Sequence, residues 1–492
     1  MTTISKLAMK SANAYPEKIA VKFHDHKITY QQLLQRAQAL TAYFHDIHLE
    51  KGDRIGILMS NRLEHIELDV AVSQYGLIKV PLNYRLHPRE LQYQLDDAGI
   101  RLLIGEEELI DRVGEKVPSL LIGSDYDAVI QKFYGQAYEN EVDENDTMAI
   151  MYTSGTTGQP KGVMLSHRNM VSGALSLAIA CEVDFQDVIG HVAPLTHGAN
   201  FLSHVAWLYG LTQVVYDKFE PEQFIQHLEK DRISIIFLVP TMVNLMVQHE
   251  HFNASKLQTI KSINMAGSPI AAAKLQEALD KVGTKFVETY GQVEAPMCIS
   301  IMPREDIKDH LNSCGRIGPF VDVKIINESG YECSCGEVGE IIVKGPLVMQ
   351  GYWNNEQATK ETLIDGWLYT GDLGKLDEKG YLYIMDRKKE VIISGGVNIY
   401  PREVEEVLNQ HEFVKETCVI GIPDDKWGES VIAYVVLNGR GTVTPEQLLE
   451  LCKEHLASFK KPREIHIVDE LPKSSYGKIL KRELLKQHME VK

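Results

Sequence analysis

The chain has 492 residues, of which 44% are hydrophobic and 24% charged, as expected of a globular protein with a substantial buried core. This composition excludes wholesale disorder and a collagen-like scaffold, and an odd count of seven cysteines argues against a disulfide framework. The formal net charge of −17 argues against a protein that coats nucleic acid, so local positive groups must meet any anionic substrate.

The chain shows no pattern of secretion or of membrane insertion. Its first ten residues lack the apolar run of a signal peptide, and its longest apolar stretches fall short of the ~20 residues that span a bilayer. The sequence therefore predicts a cytoplasmic protein with free thiols.

The first part of the chain alternates between helical and β-rich segments. Helices are predicted at residues 30–45, 64–76, 89–98, 241–249 and 270–282, and strands at 54–59, 79–82, 233–239 and 262–266. Such alternation indicates βαβ units, and hence an α/β fold whose sheets are mixed, largely parallel and flanked by helices.

The pattern changes near residue 318. Short β-rich runs at residues 321–326, 339–343 and 381–385 are separated by turn residues and predict a small antiparallel, β-rich subdomain. After Asp386 a compact α+β pattern follows, with helices at 401–408, 445–456 and 481–488 and strands at 417–421 and 431–437. We predict a large domain over residues 1–385 and a small, mobile C-terminal domain over 386–492.

The most informative segment is the hydroxyl- and glycine-rich loop over residues 152–162, which follows a predicted strand. Glycines allow backbone N–H groups to approach a phosphate, hydroxyls donate hydrogen bonds, and Lys161 adds charge. The loop is not a Walker A motif, because Pro160 stands where that motif has glycine and Gly162 where it has Ser or Thr. A P-loop kinase is therefore disfavoured.

This loop resembles the signature loop of the AMP-forming acyl-adenylate superfamily, which contains acyl-CoA synthetases, adenylation domains and luciferases. The resemblance covers nearly the whole chain and points to the acyl-CoA ligase branch. It continues through the segments at residues 194–198, 266–269, 290–294, 369–372, 386–389, 394–401 and 472–478.

The resemblance implies an ATP site. Its residues would hold the phosphates, flank the adenine or bind the ribose: Thr153, Ser154, Gly155, Thr156, Thr157, Lys161, Gly267, Ser268, Pro269, Tyr290, Gly291, Asp372 and Arg387. Among these, Asp372 would accept hydrogen bonds from both ribose hydroxyls, and Arg387 would contact the same ribose.

The resemblance also implies the catalytic groups. Glu294 would be the Mg²⁺ ligand, as suits a hard cation, and Lys478 would bridge the acid carboxylate and the α-phosphate. His197 would gate the acyl pocket, without a role in proton transfer. The family usually has threonine at the position of Val293, so that valine removes a donor to the α-phosphate unless a group such as Gln292 compensates.

For the second half-reaction, the family rotates its small domain about a hinge, here Glu390. Ser394, Gly395 and Gly396 would then line a passage for the pantetheine arm of coenzyme A, although a plain turn between strands is the alternative. Basic residues around Lys460 would meet the nucleotide of coenzyme A or remain solvated.

These features predict an ATP- and Mg²⁺-dependent ligase that converts a carboxylic acid to acyl-AMP and then to acyl-CoA. We expect a medium- or long-chain fatty acid, with an aryl acid such as o-succinylbenzoate as the alternative. An amino acid is disfavoured, because Thr196-His197 replaces the Phe-Asp pair of amino-acid-activating relatives, and residues 201–211 and 239–241 are expected to shape an apolar pocket.

Other readings remain open. The acyl group would pass to a carrier protein instead of coenzyme A, or the chain would be a nucleotide-binding protein that has lost catalysis. No carrier domain follows in this sequence, which favours free coenzyme A. We expect a small-molecule partner, no nucleic acid and possible homodimer formation.

Overall fold

The computed structural model describes residues 2–114, 117–153, 160–439, 441–473 and 479–491. Helices and strands alternate over the first part of the chain, as the sequence predicts. These elements are α1 (Ile4–Ala14), β1 (Ile19–Phe23), β2 (His26–Thr29), α2 (Tyr30–Asp46), β3 (Arg54–Leu58), α3 (Leu63–Tyr75), β4 (Ile78–Pro81), α4 (Pro88–Ala98), β5 (Ile100–Gly105), α5 (Glu107–Asp111), β6 (Ser119–Leu121), α6 (Ser124–Lys132), β7 (Thr147–Tyr152), β8 (Gly162–Ser166) and α7 (His167–Ala180).

The alternation continues and then gives way to strands joined by turns. The elements of this part are β9 (Val188–His191), α8 (Phe201–Tyr209), β10 (Thr212–Val215), α9 (Pro221–Lys230), β11 (Ile235–Leu238), α10 (Pro240–Gln248), β12 (Ser262–Met265), α11 (Ala272–Val282), β13 (Phe286–Gln292), β14 (Ala295–Met302), β15 (Gly315–Ile317), β16 (Asp322–Ile326), β17 (Gly339–Lys344), β18 (Gly351–Tyr352), α12 (Glu356–Thr362), β19 (Leu363–Ile364), β20 (Trp367–Leu376) and β21 (Tyr381–Arg387).

The last part of the chain has the α+β composition that the sequence predicts. It contains β22 (Ile392–Ser394), β23 (Val397–Ile399), α13 (Pro401–Leu408), β24 (Val414–Asp424), β25 (Gly428–Leu437), α14 (Pro445–His455), β26 (Glu464–Ile467) and α15 (Lys481–Val491). The sequence did not predict β26, which pairs parallel to β25.

Within the described ranges the strands form three sheets. The first sheet runs β16-β17-β20-β21-β15-β14-β13-β12-β11-β9-β10-β1-β2, and the second runs β18-β8-β7-β4-β3-β5-β6. Both contain a parallel central part with antiparallel strands at an edge. The third sheet, β23-β22-β25-β24 with β26, belongs to the C-terminal part. The predicted α/β fold is therefore confirmed. The antiparallel strands that the sequence assigns to a β-rich subdomain, β16, β17 and β21, belong to the first sheet.

Buried helices join the two large sheets. Helix α3 is buried on every side except at Glu64, and it ends at Gly76, whose positive φ of 79° suits glycine. Helix α2 starts with a capping box between Thr29 and Gln32. These helices pack with α1, α7 and α8 in one apolar core.

Strand β21 runs through the predicted domain boundary, because Arg387 still pairs with Asp372 of β20. A short 3₁₀ helix, Lys388–Glu390, then leads into the third sheet. The division of the chain into domains at residue 386 stays a prediction. In the described part of the chain, every helix is too short or too polar to cross a bilayer.

Candidate active site

The ends of the glycine-rich loop are fixed by hydrogen bonds. The backbone N–H of Thr153 donates to the carbonyl of Lys161 over 3.0 Å, which closes the loop where β7 ends and β8 begins. The Tyr152 hydroxyl donates to Asp97 over 2.6 Å, and the Tyr93 hydroxyl donates to the carbonyl of Pro160 over 3.2 Å. The predicted phosphate-binding residues Ser154, Gly155, Thr156 and Thr157 lie outside the described residues.

Glu294 lies at the tip of the hairpin between β13 and β14. Gln292 and Ala295 are strand partners, so that Val293 and Glu294 form the turn. Gly291 must be glycine, because a Cβ atom there would lie 2.5 Å from the backbone nitrogen of Met297. The hairpin is therefore a tight structure that holds Glu294 in one place, half-buried at the sheet edge.

Asp372 is the centre of a compact hydrogen-bonded cluster. Its carboxylate is 4% exposed, and its Oδ2 atom accepts from the Tyr290 hydroxyl over 2.6 Å and from the Gln292 amide over 2.5 Å. Its Oδ1 atom lies 2.8 Å from Nε of Arg387. A carboxylate has about four acceptor positions, so that a ribose diol would displace at least one of these three donors.

The two residues beside Asp372, Tyr290 and Arg387, both keep their protons, so that each remains a hydrogen-bond donor to the carboxylate. Burial, reinforced by Asp372, raises the pKa of Tyr290 well above its ordinary value of 10.0, so that the phenol stays a donor. Burial would lower the pKa of Arg387, but the carboxylates of Asp372 and Glu390 outweigh it and raise that pKa. Arg387 therefore remains charged beside Asp372.

A second cluster joins Lys161 and Glu294 through Tyr352, which the sequence analysis missed. The Lys161 ammonium lies 4.0 Å from the centre of the Tyr352 ring, and the Tyr352 hydroxyl donates to Oε1 of Glu294 over 2.9 Å. Tyr352 lies 191 positions beyond Lys161 in a two-residue strand, and no local pattern signals such a long-range contact.

Gly267, Ser268 and Pro269 lie between β12 and α11, exposed at the carboxyl end of a parallel strand. Gly267 has a φ of 93°, a conformation that favours glycine. Strand β13, which carries Tyr290, is the parallel neighbour of β12. The structure therefore places both segments at the carboxyl ends of neighbouring parallel strands, where ligands bind in open α/β sheets.

His197 stands just before α8 beside a small cavity of about 10 Å³, room for about one water molecule. Met151, Met170 and Phe201 also line the cavity. Residues 239–241, predicted to shape the acyl pocket, do not line it, whereas Phe201 does. Burial lowers the pKa of His197 below its ordinary value of 6.5, so that the ring is neutral at pH 7.

The predicted coenzyme A residues lie in the third sheet. Gly395 and Gly396 form the turn between β22 and β23 with φ values of 60° and 81°, directly after Ser394. The N–H of Gly395 donates to the carbonyl of Trp427 over 2.7 Å. Among the described residues, the hydrogen bonds and strand pairs of this turn join it to other residues of the C-terminal part. They do not connect it to the Asp372 cluster.

The predicted hinge residue Glu390 forms an ion pair with Lys481, at 3.2 Å. Several basic residues near the C-terminus bind carboxylates of the same part of the chain, as Lys460 binds Glu403 over 2.7 Å. Lys478 lies outside the described residues, so its catalytic role stays a prediction.

Together these clusters can bind a nucleotide. The Asp372 carboxylate offers acceptors for a sugar diol, and Lys161 offers a cation for phosphates close to the carboxylate of Glu294. Within the described ranges, Glu294 belongs to no group of three or more His, Cys, Asp or Glu side chains that could hold a metal ion. A single carboxylate fits Mg²⁺, which binds one or two carboxylates and completes its shell with phosphates and water.

Comparison with protein families identifies this class of protein. The model of the AMP-binding enzyme family matches residues 9–353, and that of the AMP-binding enzyme C-terminal domain matches residues 403–478. The chain therefore belongs to the AMP-binding enzyme family.

Individual relatives narrow the position within the family. A feruloyl-CoA synthase from Amycolatopsis sp is 33% identical over 97% of both chains. The structure of an o-succinylbenzoate CoA synthetase (MenE) from Bacillus subtilis, in complex with the acyl-adenylate intermediate OSB-AMP, is 32% identical over 98% of both chains with a TM-score of 0.88. ATP-bound MatB from Rhodopseudomonas palustris is 29% identical over 100% of both chains with a TM-score of 0.92. The chain lies in the acyl-CoA ligase branch and is an AMP-forming acid–thiol ligase.

Proposed function

We propose that this chain activates an aromatic carboxylic acid with ATP to an acyl-adenylate and pyrophosphate, and then transfers the acyl group to coenzyme A with release of AMP. The observation that carries this proposal is the pair of clusters around Asp372 and Tyr352. Gln292 of the first cluster and Glu294 of the second lie in one hairpin, which supports a shared site for ribose and phosphates.

Two relatives support an aromatic acid. Their names refer to feruloyl and o-succinylbenzoyl groups, both aromatic. These relatives favour an aryl acid, the alternative in the sequence-based prediction, over the medium- or long-chain fatty acid that was expected first. The cavity beside His197 has room for about one water molecule, so that an aromatic acid entering there requires Phe201 or His197 to move.

We further propose that Glu294 binds Mg²⁺ together with the phosphates of ATP. The cation would offset the charge of the phosphates while the acid attacks the α-phosphorus. Asp372 would hold the ribose, Arg387 would contact the same ribose, and Lys161 would bind phosphate. In the second half-reaction the turn at Gly395 would admit the pantetheine arm. A cytoplasmic location and a homodimer stay predictions.

A panel of acids tests the substrate class. The enzyme is incubated with ATP, MgCl₂ and coenzyme A together with ferulate, 2-succinylbenzoate, decanoate or palmitate, and acyl-CoA, AMP and ADP are separated by chromatography. We expect an aromatic acid to give acyl-CoA and AMP with a higher kcat/KM than either fatty acid. A preference for decanoate or palmitate would contradict the aromatic proposal, and adenylate formation without acyl-CoA would favour a carrier protein as the acceptor.

A further inference from the structure

Residues 349–353 form a backbone brace between the glycine-rich loop and the Glu294 turn. The N–H of Met349 donates to the carbonyl of Glu294 over 2.8 Å, and the N–H of Trp353 donates to the carbonyl of Gly162 over 2.7 Å. Between these two bonds, Tyr352 pairs with Val163 of β8. The brace is therefore fixed at both ends to the segments that carry Lys161 and Glu294.

The position of Tyr352 within the brace is set by its neighbours. Gly351 has a φ of 145°, and a Cβ atom there would lie 2.8 Å from Cγ2 of Thr359, so that only glycine fits. The N–H of Tyr352 donates to the Thr359 hydroxyl over 2.9 Å. The side chain of Tyr352 is 5% exposed. A buried side chain on such a fixed backbone has little freedom to turn away.

The ring and the hydroxyl of Tyr352 contact different residues. The ring lies 4.0 Å from the Lys161 ammonium, a cation–π contact that aligns the cation without occupying its hydrogen-bond donors. The hydroxyl donates to Oε1 of Glu294 and does not itself engage Oε2, the second acceptor of that carboxylate.

We infer that Tyr352 is a positioning residue for the reaction: its ring aims Lys161 at the phosphates, and its hydroxyl orients Glu294 toward the divalent cation. The two functions are carried by separate atoms, so they can be removed separately. This inference rests on the proposed function, because it assumes that Lys161 and Glu294 serve phosphate and cation.

Two variants of the full-length enzyme separate the functions. Tyr352→Phe keeps the ring and removes the hydroxyl, whereas Tyr352→Leu removes both. Mn²⁺ binding to the enzyme in the presence of ATP is measured by electron paramagnetic resonance, and pyrophosphate binding without metal is measured by calorimetry. For Tyr352→Phe we expect about tenfold weaker Mn²⁺ binding, as for loss of a hydrogen bond to a charged group, with unchanged pyrophosphate binding. For Tyr352→Leu we expect both affinities to fall.

Tyr383→Phe is the matched control, because it removes another phenol–carboxylate hydrogen bond, the 3.3 Å contact with Asp377. This control should leave both affinities unchanged. The inference is overturned if Tyr352→Phe binds Mn²⁺ as the wild type does, or if both Tyr352 variants lose both affinities equally. Failure of the proposed function is a separate outcome: the wild-type enzyme would then form no acyl-adenylate with any acid.

Discussion

Val293 is the residue at which this chain departs from its family in the ATP site. The resemblance implies a threonine there, whose hydroxyl would help to hold the α-phosphate, and Gln292 is the neighbour that would replace it. The Gln292 amide already donates to Asp372 over 2.5 Å and to the carbonyl of Thr370 over 3.0 Å. The Gln292 amide could therefore donate to a phosphate only by giving up a hydrogen bond to Asp372 or Thr370.

Restoring the hydroxyl should accelerate the first half-reaction. We expect Val293→Thr to raise the rate of ATP–pyrophosphate exchange by up to about tenfold, the factor that corresponds to one hydrogen bond to a charged group. Val323→Thr, on strand β16, makes the same chemical change at another partly buried position. The account of Val293 is wrong if its threonine variant is no faster than the control.

Three elements meet at a buried ion pair next to His197. Asp69 of α3 is 0% exposed and Lys79 of β4 is 3% exposed, and they form a direct ion pair. The amide of Asn200 donates to Asp69 over 2.6 Å, and Nε2 of His204 in α8 lies 3.4 Å away. Burial opposes ionisation of Asp69, but Lys79 and His204 outweigh it and lower the pKa of that carboxyl.

Removing one member of this pair should destabilise the fold strongly. Lys79→Met leaves the Asp69 carboxylate buried without its cation, which costs about 3–5 kcal/mol of the free energy of unfolding. Denaturant unfolding at pH 7 measures the loss. The double variant with Asp69→Asn should recover most of it, since an amide oxygen still accepts from Asn200. Equal destabilisation of the single and double variants would contradict this role of the ion pair.

The sequence predicts the two elements that carry this ion pair, but it does not predict the cluster itself. The helical spacing and Gly76 place α3 correctly, and the run 79–82 places β4 within one residue. Neither pattern shows that α3 is buried on nearly every side. From the sequence alone, Asp69 and Lys79 are expected to be solvated, and their burial depends on the packing of α8. Tyr352 was missed for the same reason, because its partners come from other parts of the chain.

Part of the predicted ATP site comes together in the structure, while the roles of its residues stay predictions. Asp372 and Arg387, both expected at the ribose, form an ion pair. Tyr290, expected beside the adenine, donates to Asp372, because strands β13, β20 and β21 belong to one sheet. The cavity beside His197, which we propose as the acyl site, was less accessible to prediction. Its shape depends on how α8 packs against β4 and β7, and periodicity along one segment does not encode that packing.

At the scale of the whole molecule, helix α13 joins the C-terminal part to the large sheet. Oε2 of Glu406 accepts from the N–H of Ala272 over 3.3 Å, at the start of α11, where the helix dipole favours a carboxylate. Arg402 lies 3.7 Å from Glu406 and also faces Glu288 of β13. The Arg402 guanidinium thus attracts two carboxylates, Glu406 at 3.7 Å and Glu288 through space.

This arrangement predicts a pH-dependent stability. Burial, together with repulsion from Glu406, raises the pKa of Glu288 from its ordinary 4.5 to about 7, although Arg402 opposes the shift. The folded state then binds more protons than the unfolded state, so the stability that protonated Glu288 contributes is present below pH 4.5 and is lost as the pH rises through about 7.

Glu288→Gln should remove this part of the pH dependence. We expect its Tm, relative to that of the wild type, to increase between pH 4.5 and pH 8 and then to level off. Glu403→Gln, on the same helix α13 but paired with Lys460 in the C-terminal part, is the control and should show no such trend. A constant difference in Tm between Glu288→Gln and wild type would refute the shift.

The central claim is that the enzyme joins a carboxylic acid to the α-phosphate of ATP. The most direct test is exchange of labelled pyrophosphate into ATP in the presence of Mg²⁺ and an aromatic acid, without coenzyme A. The account predicts exchange that depends on the acid and is lost in Asp372→Ala, whose ribose-binding carboxylate is gone. Absence of exchange with every aromatic and aliphatic acid, while the enzyme still binds ATP, would contradict it.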